Sequence, residues 1–253
     1  MSAVRPPFGA DLPPWPEVDF AAFGAVERVA LTRVQKLGAG FLARNWVTIP
    51  HVTHHDEADI GALEAARARL AAQRADRKMT PLAFIVKAAV KALRAHPRVN
   101  ASLDPVAAQL VLKKYFHIGI AIDTPGGLLV GVIRDCDAKG LTEIADEIAA
   151  LSQNAREKGL SLAQMSGGCF TISSLGGIGG TAFTPIINAP EVAILGVSKA
   201  QWKPTRGAGD AVQWLNMLPL SLSYDHRVLN GADAARFVRT LAEALADPDV
   251  VAC

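Results

Sequence analysis

The chain has 253 residues, half of them hydrophobic, and its formal net charge is +2 at pH 7. These figures allow one large domain with a sizeable core and exclude the broad basic surface that nucleic-acid binding requires. No apolar run of about 18 residues is present, so no membrane-spanning helix is predicted. Cys136, Cys169 and Cys253 have no paired spacing and form no CxxC motif. We therefore expect no disulfide framework, no zinc site and a reducing, cytoplasmic location.

The first 25 residues are rich in proline and glycine and contain Trp15, Phe20 and Phe23. Five prolines among the first 16 residues leave no apolar centre for a signal peptide. Two interpretations fit, a disordered tail or linker remnant and an ordered arm, and the aromatic residues favour the arm because linkers seldom carry them. We therefore divide the chain into an N-terminal arm, residues 1–25, and one domain, residues 26–253.

The first predicted helix begins after Thr32, whose hydroxyl is suited to cap it, and runs to about Trp46. Pro50 stops this helix, and residues 51–60 are predicted as a strand. Residues 61–77 show an alanine-rich amphipathic pattern with arginines on the outer face, which predicts a second helix.

A third helix is predicted to start at Thr80-Pro81 and to run to Ala95, because proline favours the first helical position. The run is apolar nearly all round, so we expect a central buried helix. Two later helices are predicted over residues 141–155, with Thr142 near the cap, and over residues 232–246.

Short apolar runs bounded by turn residues predict six further strands. Their ranges are 109–112, 117–123, 128–133, 169–173, 192–198 and 218–224. The turn Pro125-Gly126-Gly127 joins two of them as a hairpin. Helices and strands mix without strict alternation, which predicts an α/β fold, a two-layer sandwich with a mixed β-sheet and helices.

The most informative strand is the last one, residues 218–224, in which large apolar residues alternate with small or polar ones. This period of two predicts one buried face. The strand leads into Asp225-His226-Arg227, and its junction with the last helix would hold His226 rigidly, as a general base requires. The alternative is a buried histidine satisfied by local backbone. We expect Asp225 and Arg227 to form a structural ion pair, with Arg33 as a candidate third member.

A second candidate site follows the strand at residues 169–173, where Ser173 and Ser174 precede four glycines within residues 176–180. An ordinary loop needs one glycine to turn, and this many permit close approach of the backbone to a ligand or another chain. The run lacks the ending of a phosphate loop and the acidic partner of a dinucleotide fingerprint. By itself it is equally typical of a turn-rich loop.

A cluster of His51, His54 and His55 beside Asp56 and Glu57 raises the question of a metal site. Successive side chains on a strand point to opposite faces, so His54 and His55 diverge. With no second ligand cluster to support them, a polar strand edge is the better interpretation.

The run from Ser223 to Phe237, which contains His226, resembles the His-x-x-x-Asp-Gly signature of the dihydrolipoamide acyltransferases. These enzymes form the catalytic cores of the 2-oxoacid dehydrogenase complexes and are distant relatives of chloramphenicol acetyltransferase. The run from Phe170 to Val197 is similar to the same family throughout, and segments at residues 31–33, 49–53 and 121–133 also agree in order. The resemblance covers the chain from about residue 25 onward.

The resemblance implies a chloramphenicol acetyltransferase-like fold and the transfer of an acyl group between dihydrolipoamide and coenzyme A. It assigns His226 as general base and Ser173 as the oxyanion donor, with Ser174 as the alternative. The look of residues 170–200 favours the pyruvate dehydrogenase complex and an acetyl group. Residues that contact coenzyme A are not assigned.

Three departures from the family pattern stand out. Asn230 occupies a position where most members carry Asp, and Gly131 one where proline is common. Asn230 acts by hydrogen bonding if it acts in catalysis, or it merely caps the last helix. The length leaves no room for the lipoyl and subunit-binding domains that usually precede the core. We expect either a catalytic piece of a longer protein or a free-standing form served by a separate lipoyl domain.

In this family the site lies between subunits of a homotrimer, and eight trimers often build a 24-subunit cube. The resemblance therefore implies partner copies, a lipoyl domain and other subunits of the complex, with no nucleic acid or membrane. The apolar residues 250–252 are a candidate docking tail. Two alternatives stay open: a chloramphenicol acetyltransferase-like O-acyltransferase, and a non-catalytic scaffold of a dehydrogenase complex.

Overall fold

The computed structural model describes residues 16–73 and 79–247. Several predictions fall outside these ranges: most of the N-terminal arm with Trp15, the end of the second helix at residues 74–77, Cys253 and the candidate tail at residues 250–252. The helices are α1 (Arg33–Thr48), α2 (Gly61–Gln73), α3 (Pro81–Ala95), α4 (Leu141–Glu157), α5 (Leu162–Met165) and α6 (Gly231–Ala246).

The strands are β1 (His51–Asp59), β2 (Ala101–Asp104), β3 (Gln109–Leu112), β4 (Ile118–Thr124), β5 (Gly127–Ile133), β6 (Phe170–Ser174), β7 (Ala193–Val197), β8 (Gln201–Arg206) and β9 (Val212–Asp225). Within the described ranges a seven-stranded sheet has the order β1-β9-β7-β6-β4-β5, with β8 also paired to β9. The pairs β4–β6 and β6–β7 are parallel and the others antiparallel. Helices cover one face of this mixed sheet, which confirms the predicted two-layer α/β class.

The helical layer is built on α3, as its apolar sequence predicts. Its buried residues run along nearly the whole helix, and α6 packs beside it with Phe237 fully buried. Phe237 contacts Phe170 of β6 with ring centroids 5.6 Å apart, so the helices and the sheet share one core. Full burial of an aromatic side chain of this size contributes about 1.5–3 kcal/mol.

The opposite face of the sheet is also covered, contrary to the prediction of one buried face for the last strand. Ser221 and Ser223 of β9 are each only 1% exposed. Their hydroxyls bond to His55 Nδ1 at 2.9 Å and Thr53 Oγ1 at 2.8 Å on β1, so burial does not leave them unpaired. Alternation alone could not predict this, because small hydroxyl residues are compatible with either a wet or a buried face.

The segment of residues 181–190 forms much of this second cover. Phe183 lies over Gly196, where an added Cβ would stand 2.8 Å from the ring. The end of α1 holds the same segment, because Asn45 Nδ2 donates to Ile187 O at 2.9 Å. His51 Nε2 accepts from Ile187 N at 3.0 Å. This coil segment is therefore fixed by side chains, which no local pattern indicates.

Other differences from the predictions are local. The strands β2 and β8 and the short helix α5 were not predicted, and β9 begins at Val212 instead of residue 218. Strand β8 is polar and contains Pro204, which the edge of a sheet tolerates. Helix α4 begins at Leu141 as predicted, with Gly140 as its N-cap and Thr142 two residues beyond it. At Gly131 a side chain would stand 2.6 Å from Leu151 of α4, which accounts for the absence of proline.

In the part of the chain that the structure covers, no helix combines the length and apolarity needed to cross a bilayer. Cys136 and Cys169 are buried free thiols. Burial raises the pKa of Cys136 to about 12 and that of Cys169 to about 11, which makes both thiols inert as nucleophiles.

Candidate active site

The turn after β9 presents His226 to solvent on a fixed backbone. His226 N donates to Pro50 O at 3.1 Å, and Asp225 N donates to Val192 O at 2.9 Å, so both neighbours of β9 hold its end. Within the turn, the N–H groups of Val228 and Leu229 bond to the carbonyl of Asp225. The imidazole itself is exposed and lies 5.8 Å from the Tyr224 ring, centroid to centroid. A ring held by its backbone and open to solvent can take up a proton from a ligand.

The predicted ion pair next to this histidine is present. Asp225 is 2% exposed, and its carboxylate accepts from Arg227 Nε at 2.9 Å and Nη2 at 2.7 Å. The hydrogen bond to Asp225 raises the pKa of Arg227 above its usual value. No contact of this pair with Arg33 is found among the described residues. The pair is confined to the turn and stiffens it.

Asn230 caps α6, as the structural alternative predicted. Its Oδ1 accepts from Asp233 N at 2.9 Å, and Asp233 Oδ2 accepts from Asn230 N at 3.2 Å, which is a complete capping box. Capping uses the amide oxygen and not the amide NH2 group. The capping role therefore does not exclude a second hydrogen bond from Asn230 to a ligand.

Ser173 and Ser174 lie on opposite faces at the end of β6. Ser173 is half-buried, shares the face of Thr171 and pairs with Gly196 of β7. Ser174 is exposed and lines a cleft on the helical side. The two hydroxyls, adjacent in sequence, therefore serve different surfaces.

Ser173 lies in a trough of small residues across the sheet. The strand register places Gly196 beside Ser173, and Ser221 beside Gly196. On the other side, the next step of the β4–β6 register brings Ala121 beside Ser173. The Phe183 ring above Gly196 forms one wall of this trough. Because Ser173 is only half-buried, its hydroxyl can reach the carbonyl oxygen of a ligand that lies against these small residues.

The chain does not bring Ser173 and His226 together. Ser173 is level with Ser221 of β9, and His226 follows five residues further along. From strand geometry, Ser173 and His226 are separated by about 16 Å along the strands and by about 10 Å across them. A site that uses both side chains therefore requires two copies of the chain.

A cleft of about 1320 Å³ lies between the sheet and the helices at the end of β6. Apolar residues of α3, α4 and β4 form its walls, and Lys199, Arg156 and Trp202 lie in its lining. Ser198, 1% exposed, also lines it, and its Oγ has no hydrogen-bond partner among the described residues. These residues were not predicted from the sequence, although a lysine directly after a strand and beside the glycine-rich segment was a usable signal.

The histidines of β1 do not form a metal site. His51 and His55 share one face but bond to different partners, Ile187 and Ser221, whereas His54 is on the other face. Within residues 16–73 and 79–247, no group of three or more His, Cys, Asp or Glu side chains is placed to hold a metal ion.

Comparisons with known proteins agree over almost the whole chain. The model of the 2-oxoacid dehydrogenases acyltransferase family (catalytic domain) matches residues 23–253. The dihydrolipoyllysine-residue acetyltransferase component of the Pseudomonas aeruginosa pyruvate dehydrogenase complex is 56% identical over 94% of this chain and 44% of its own length. The Haemophilus influenzae counterpart is 52% identical over 94% of this chain and 43% of its own length. The chain thus spans less than half the length of these relatives.

Solved structures give the same result. A structure of Azotobacter vinelandii dihydrolipoamide acetyltransferase, from an investigation of a serine, a histidine and an asparagine in its catalytic mechanism, is 53% identical. It has a TM-score of 0.91 and covers 95% of this chain and 99% of that one. The cubic core of a pyruvate dehydrogenase multienzyme complex matches equally well, with the same TM-score, identity and coverage. Chloramphenicol acetyltransferase, 16% identical with a TM-score of 0.54 over 81% of this chain and 94% of its own, shares the fold alone.

Proposed function

The chain belongs to the family of 2-oxoacid dehydrogenase acyltransferase catalytic domains, and from that premise we propose that it transfers an acetyl group between dihydrolipoamide and coenzyme A. The observation that carries the proposal is the pair of half-sites on one chain. An exposed imidazole stands on a rigid turn, and a half-buried serine hydroxyl lies among small residues too far away to meet it. Two copies of the chain would complete the site.

The identity of the acyl group rests on the relatives. The proteins from Pseudomonas aeruginosa and Haemophilus influenzae are components of pyruvate dehydrogenase complexes and are more than 50% identical to this chain. An acetyl group is therefore the favoured cargo, with the lipoyl group supplied by a lipoyl domain. We also propose that residues 1–25 are an arm and residues 26–253 the catalytic domain. The cytoplasmic location stays a prediction.

The site residues are supported by spacing. In the Azotobacter vinelandii enzyme the histidine and the asparagine are four residues apart, as His226 and Asn230 are. The serine there precedes the histidine by 52 residues, which counts back to Ser174, or to Ser173 if this chain has one extra residue between them. Spacing alone therefore leaves two candidates.

Surface chemistry favours Ser173. Large apolar side chains are exposed along the N-terminal segment and α1, among them Phe20, Phe23, Phe41 and Trp46. The end of α1 contacts the segment of residues 181–190, which covers the Ser173 side of the sheet. An exposed apolar surface of this extent is typical of a face that another chain covers. His226 of the partner subunit would thus approach the trough and not the cleft. A homotrimer, and a cubic core like that of the structural relative, follow as proposals.

The mechanism then needs one proton transfer and one hydrogen bond. The thiol of coenzyme A gives its proton to His226 and attacks the thioester carbonyl of acetyl-dihydrolipoamide. An ordinary thiol has a pKa near 8.5 and an ordinary histidine one near 6.5, so complete transfer before attack costs about 3 kcal/mol. The Ser173 hydroxyl donates to the oxyanion that forms. Collapse breaks the bond to the dihydrolipoamide sulfur, which takes the proton back.

The cleft is suited to coenzyme A. Its apolar walls fit the pantetheine arm, Lys199 and Arg156 can face the phosphates, and Trp202 offers a ring on which adenine can stack. Lys199→Ala should raise KM for coenzyme A about 5- to 10-fold with kcat unchanged, because it removes ground-state binding. Lys91→Ala, on the exposed side of α3, is the matched control and should leave KM unchanged. Equal KM values for both variants would move coenzyme A out of this cleft.

The direct experiment is an acceptor panel on the purified protein. Acetyl transfer from acetyl coenzyme A to free dihydrolipoamide, with succinyl and branched-chain coenzyme A thioesters as rival donors, should show a preference for acetyl. Transfer to chloramphenicol should be absent. Binding of coenzyme A in a calorimeter separates an enzyme from a non-catalytic scaffold. A protein that binds no coenzyme A and transfers no acetyl group would contradict the proposal.

A further inference from the structure

Glu191 is a buried carboxyl group that no cation of the described residues contacts. It is 4% exposed and directly precedes Val192, at the entry to β7. Burial raises its pKa to about 7. Its Oε2 has no hydrogen-bond partner in the described part of the chain. A buried polar atom of this kind is uncommon and requires an explanation.

The neighbouring side chains contact the other carboxyl oxygen of Glu191, Oε1. Thr171 Oγ1 donates to Oε1 at 2.9 Å, and Asn188 Nδ2 lies 3.5 Å from the same atom. Gly168 leaves room for it, because an added Cβ would stand 2.9 Å from Oε1. Gly119 leaves room for Thr171 in the same way, since its Cβ would stand 2.6 Å from the hydroxyl. Two strands and one coil segment thus close on this carboxyl.

The charged and titratable neighbours of Glu191 do not neutralise it by contact. Lys113, largely buried, donates to Ala101 O at 3.4 Å and lowers the pKa of Glu191 only through space. The Cys169 thiol is buried and bonds to backbone carbonyls of Tyr115 and His117. Among the described residues Glu191 is therefore held by a short hydrogen bond from Thr171 and a longer one from Asn188, not by an ion pair.

Ser173 and His226 both lie close in sequence to residues that Glu191 or its neighbour Val192 contacts. Thr171 is two positions before Ser173 on the same face of β6. Val192, the next residue after Glu191, accepts the hydrogen bond of Asp225 N, which precedes His226. A shift of this carboxyl would therefore move the strand that carries Ser173 relative to the turn that carries His226.

We propose that Glu191 is a positioning residue for acyl transfer, which fixes β6 against the entry of β7 through Thr171 and so sets the places of Ser173 and His226. The inference rests on the proposed function. In a shared site these two side chains serve two neighbouring sites, so one buried carboxyl would adjust both. A displacement of about 1 Å in such a site can cost about 100-fold in rate.

The test compares variants that keep the side-chain oxygen at position 191, which accepts from Thr171, with variants that lose this hydrogen bond. The comparison distinguishes a positioning role from a general effect on stability. Glu191→Gln keeps an oxygen that accepts from Thr171, so kcat should remain within about 3-fold of the wild type. Glu191→Ala and Thr171→Val each break the bond and should lower kcat about 10- to 100-fold in folded, assembled protein. KM for coenzyme A should stay unchanged, because the cleft is on the other face. Glu243→Ala, an exposed position on α6, is the control.

The double variant Thr171→Val/Glu191→Ala should be no slower than the worse single variant, because both remove one interaction. Kinetics are to be compared at equal amounts of folded oligomer, measured by circular dichroism and light scattering. A wild-type kcat in Glu191→Ala, or equal losses in the Gln and Ala variants, overturns the inference. If Glu191→Ala does not fold, a wild-type kcat in Thr171→Val overturns it instead. An inactive wild-type protein would refute the proposed function, which is a different result.

Discussion

The turn that carries His226 and the strand end that carries Ser173 differ in how they are held. The turn of His226 is held by backbone hydrogen bonds to Pro50 and Val192 and by the side-chain pair Asp225–Arg227, and the ring stays exposed. Ser173 depends on its neighbours instead, on the register with Gly196 and on the buried side chains below it. The position of His226 is set mainly by its own turn, whereas that of Ser173 is set by residues distant in sequence.

The largest expected effect comes from removal of the base. His226→Ala should lower kcat for acetyl transfer about 100- to 10,000-fold, which is the range of general-base catalysis. The turn should persist, because its hydrogen bonds do not use the ring, so the melting temperature should change little. His96→Ala, at the far end of α3, is the control and should keep full activity. Near-normal transfer by His226→Ala would remove the mechanism.

The second half-site is tested by two adjacent serines. Ser173→Ala should lower kcat about 100- to 1000-fold, since one oxyanion donor is lost. Ser174→Ala should mainly affect KM for coenzyme A, because its hydroxyl faces the cleft. The two substituted residues are adjacent in sequence, but their side chains lie on opposite faces of the sheet. The reverse pattern would move the oxyanion site to the helical side of the sheet.

The buried carboxyl predicts a pH dependence that the exposed turn lacks. Glu191 has a folded pKa of about 7 against 4.5 for an ordinary glutamate. The unfolded chain therefore releases this proton first as pH rises. The stabilising contribution is complete below pH 4.5 and is lost as pH rises through about 7, a total of about 3 kcal/mol.

Glu191→Gln should remove that dependence. From pH 5 to pH 8 the wild type should lose about 2 kcal/mol of unfolding free energy relative to the Gln variant. Denaturant unfolding at a fixed protomer concentration measures the difference. The Cys169 thiol, whose pKa burial raises to about 11, stays protonated over this range in the wild type. Parallel pH curves for the two proteins would show that Glu191 does not titrate in this range.

The smallest effect concerns Asn230. Asn230→Ala should lower the unfolding free energy by about 1 kcal/mol through loss of the cap, while Asn230→Asp should keep it. If the amide also binds a reacting group, kcat should fall about tenfold in the Ala variant, the value of one hydrogen bond. Equal activities in the wild type and in the Ala and Asp variants would show that Asn230 only caps the helix.

Much of the framework was predictable because its signals are local. Thr32 caps its helix as predicted, and Asn230 caps α6 as the structural alternative predicted, each with a complete capping box. The apolar run of α3 is buried as expected. His226 was assigned as general base from the resemblance of residues 223–237 to the acyltransferase family. The local pattern of a strand, a polar triplet and a helix indicated only that the residue would be held rigidly, and its role stays a prediction.

The remainder depends on residues that are distant in sequence. Glu191, Thr171 and Asn188 meet only after β6 and β7 pair, and nothing in the order of residues announces that contact. Burial of Ser221 and Ser223 depends on β1 and on the segment of residues 181–190. The cleft residues Lys199 and Trp202 acquire their meaning only when α3 and α4 cover the sheet.

The central claim is that one site needs two chains, and complementation tests it most directly. His226→Ala and Ser173→Ala chains, each inactive alone, are to be co-expressed in equal amounts and purified as mixed oligomers. A site is intact where the first kind supplies Ser173 and the second His226, which in random cyclic assembly is about one quarter of all sites. We therefore predict about a quarter of wild-type activity. Activity no higher than that of the separate variants, in oligomers shown to be mixed, would contradict the account.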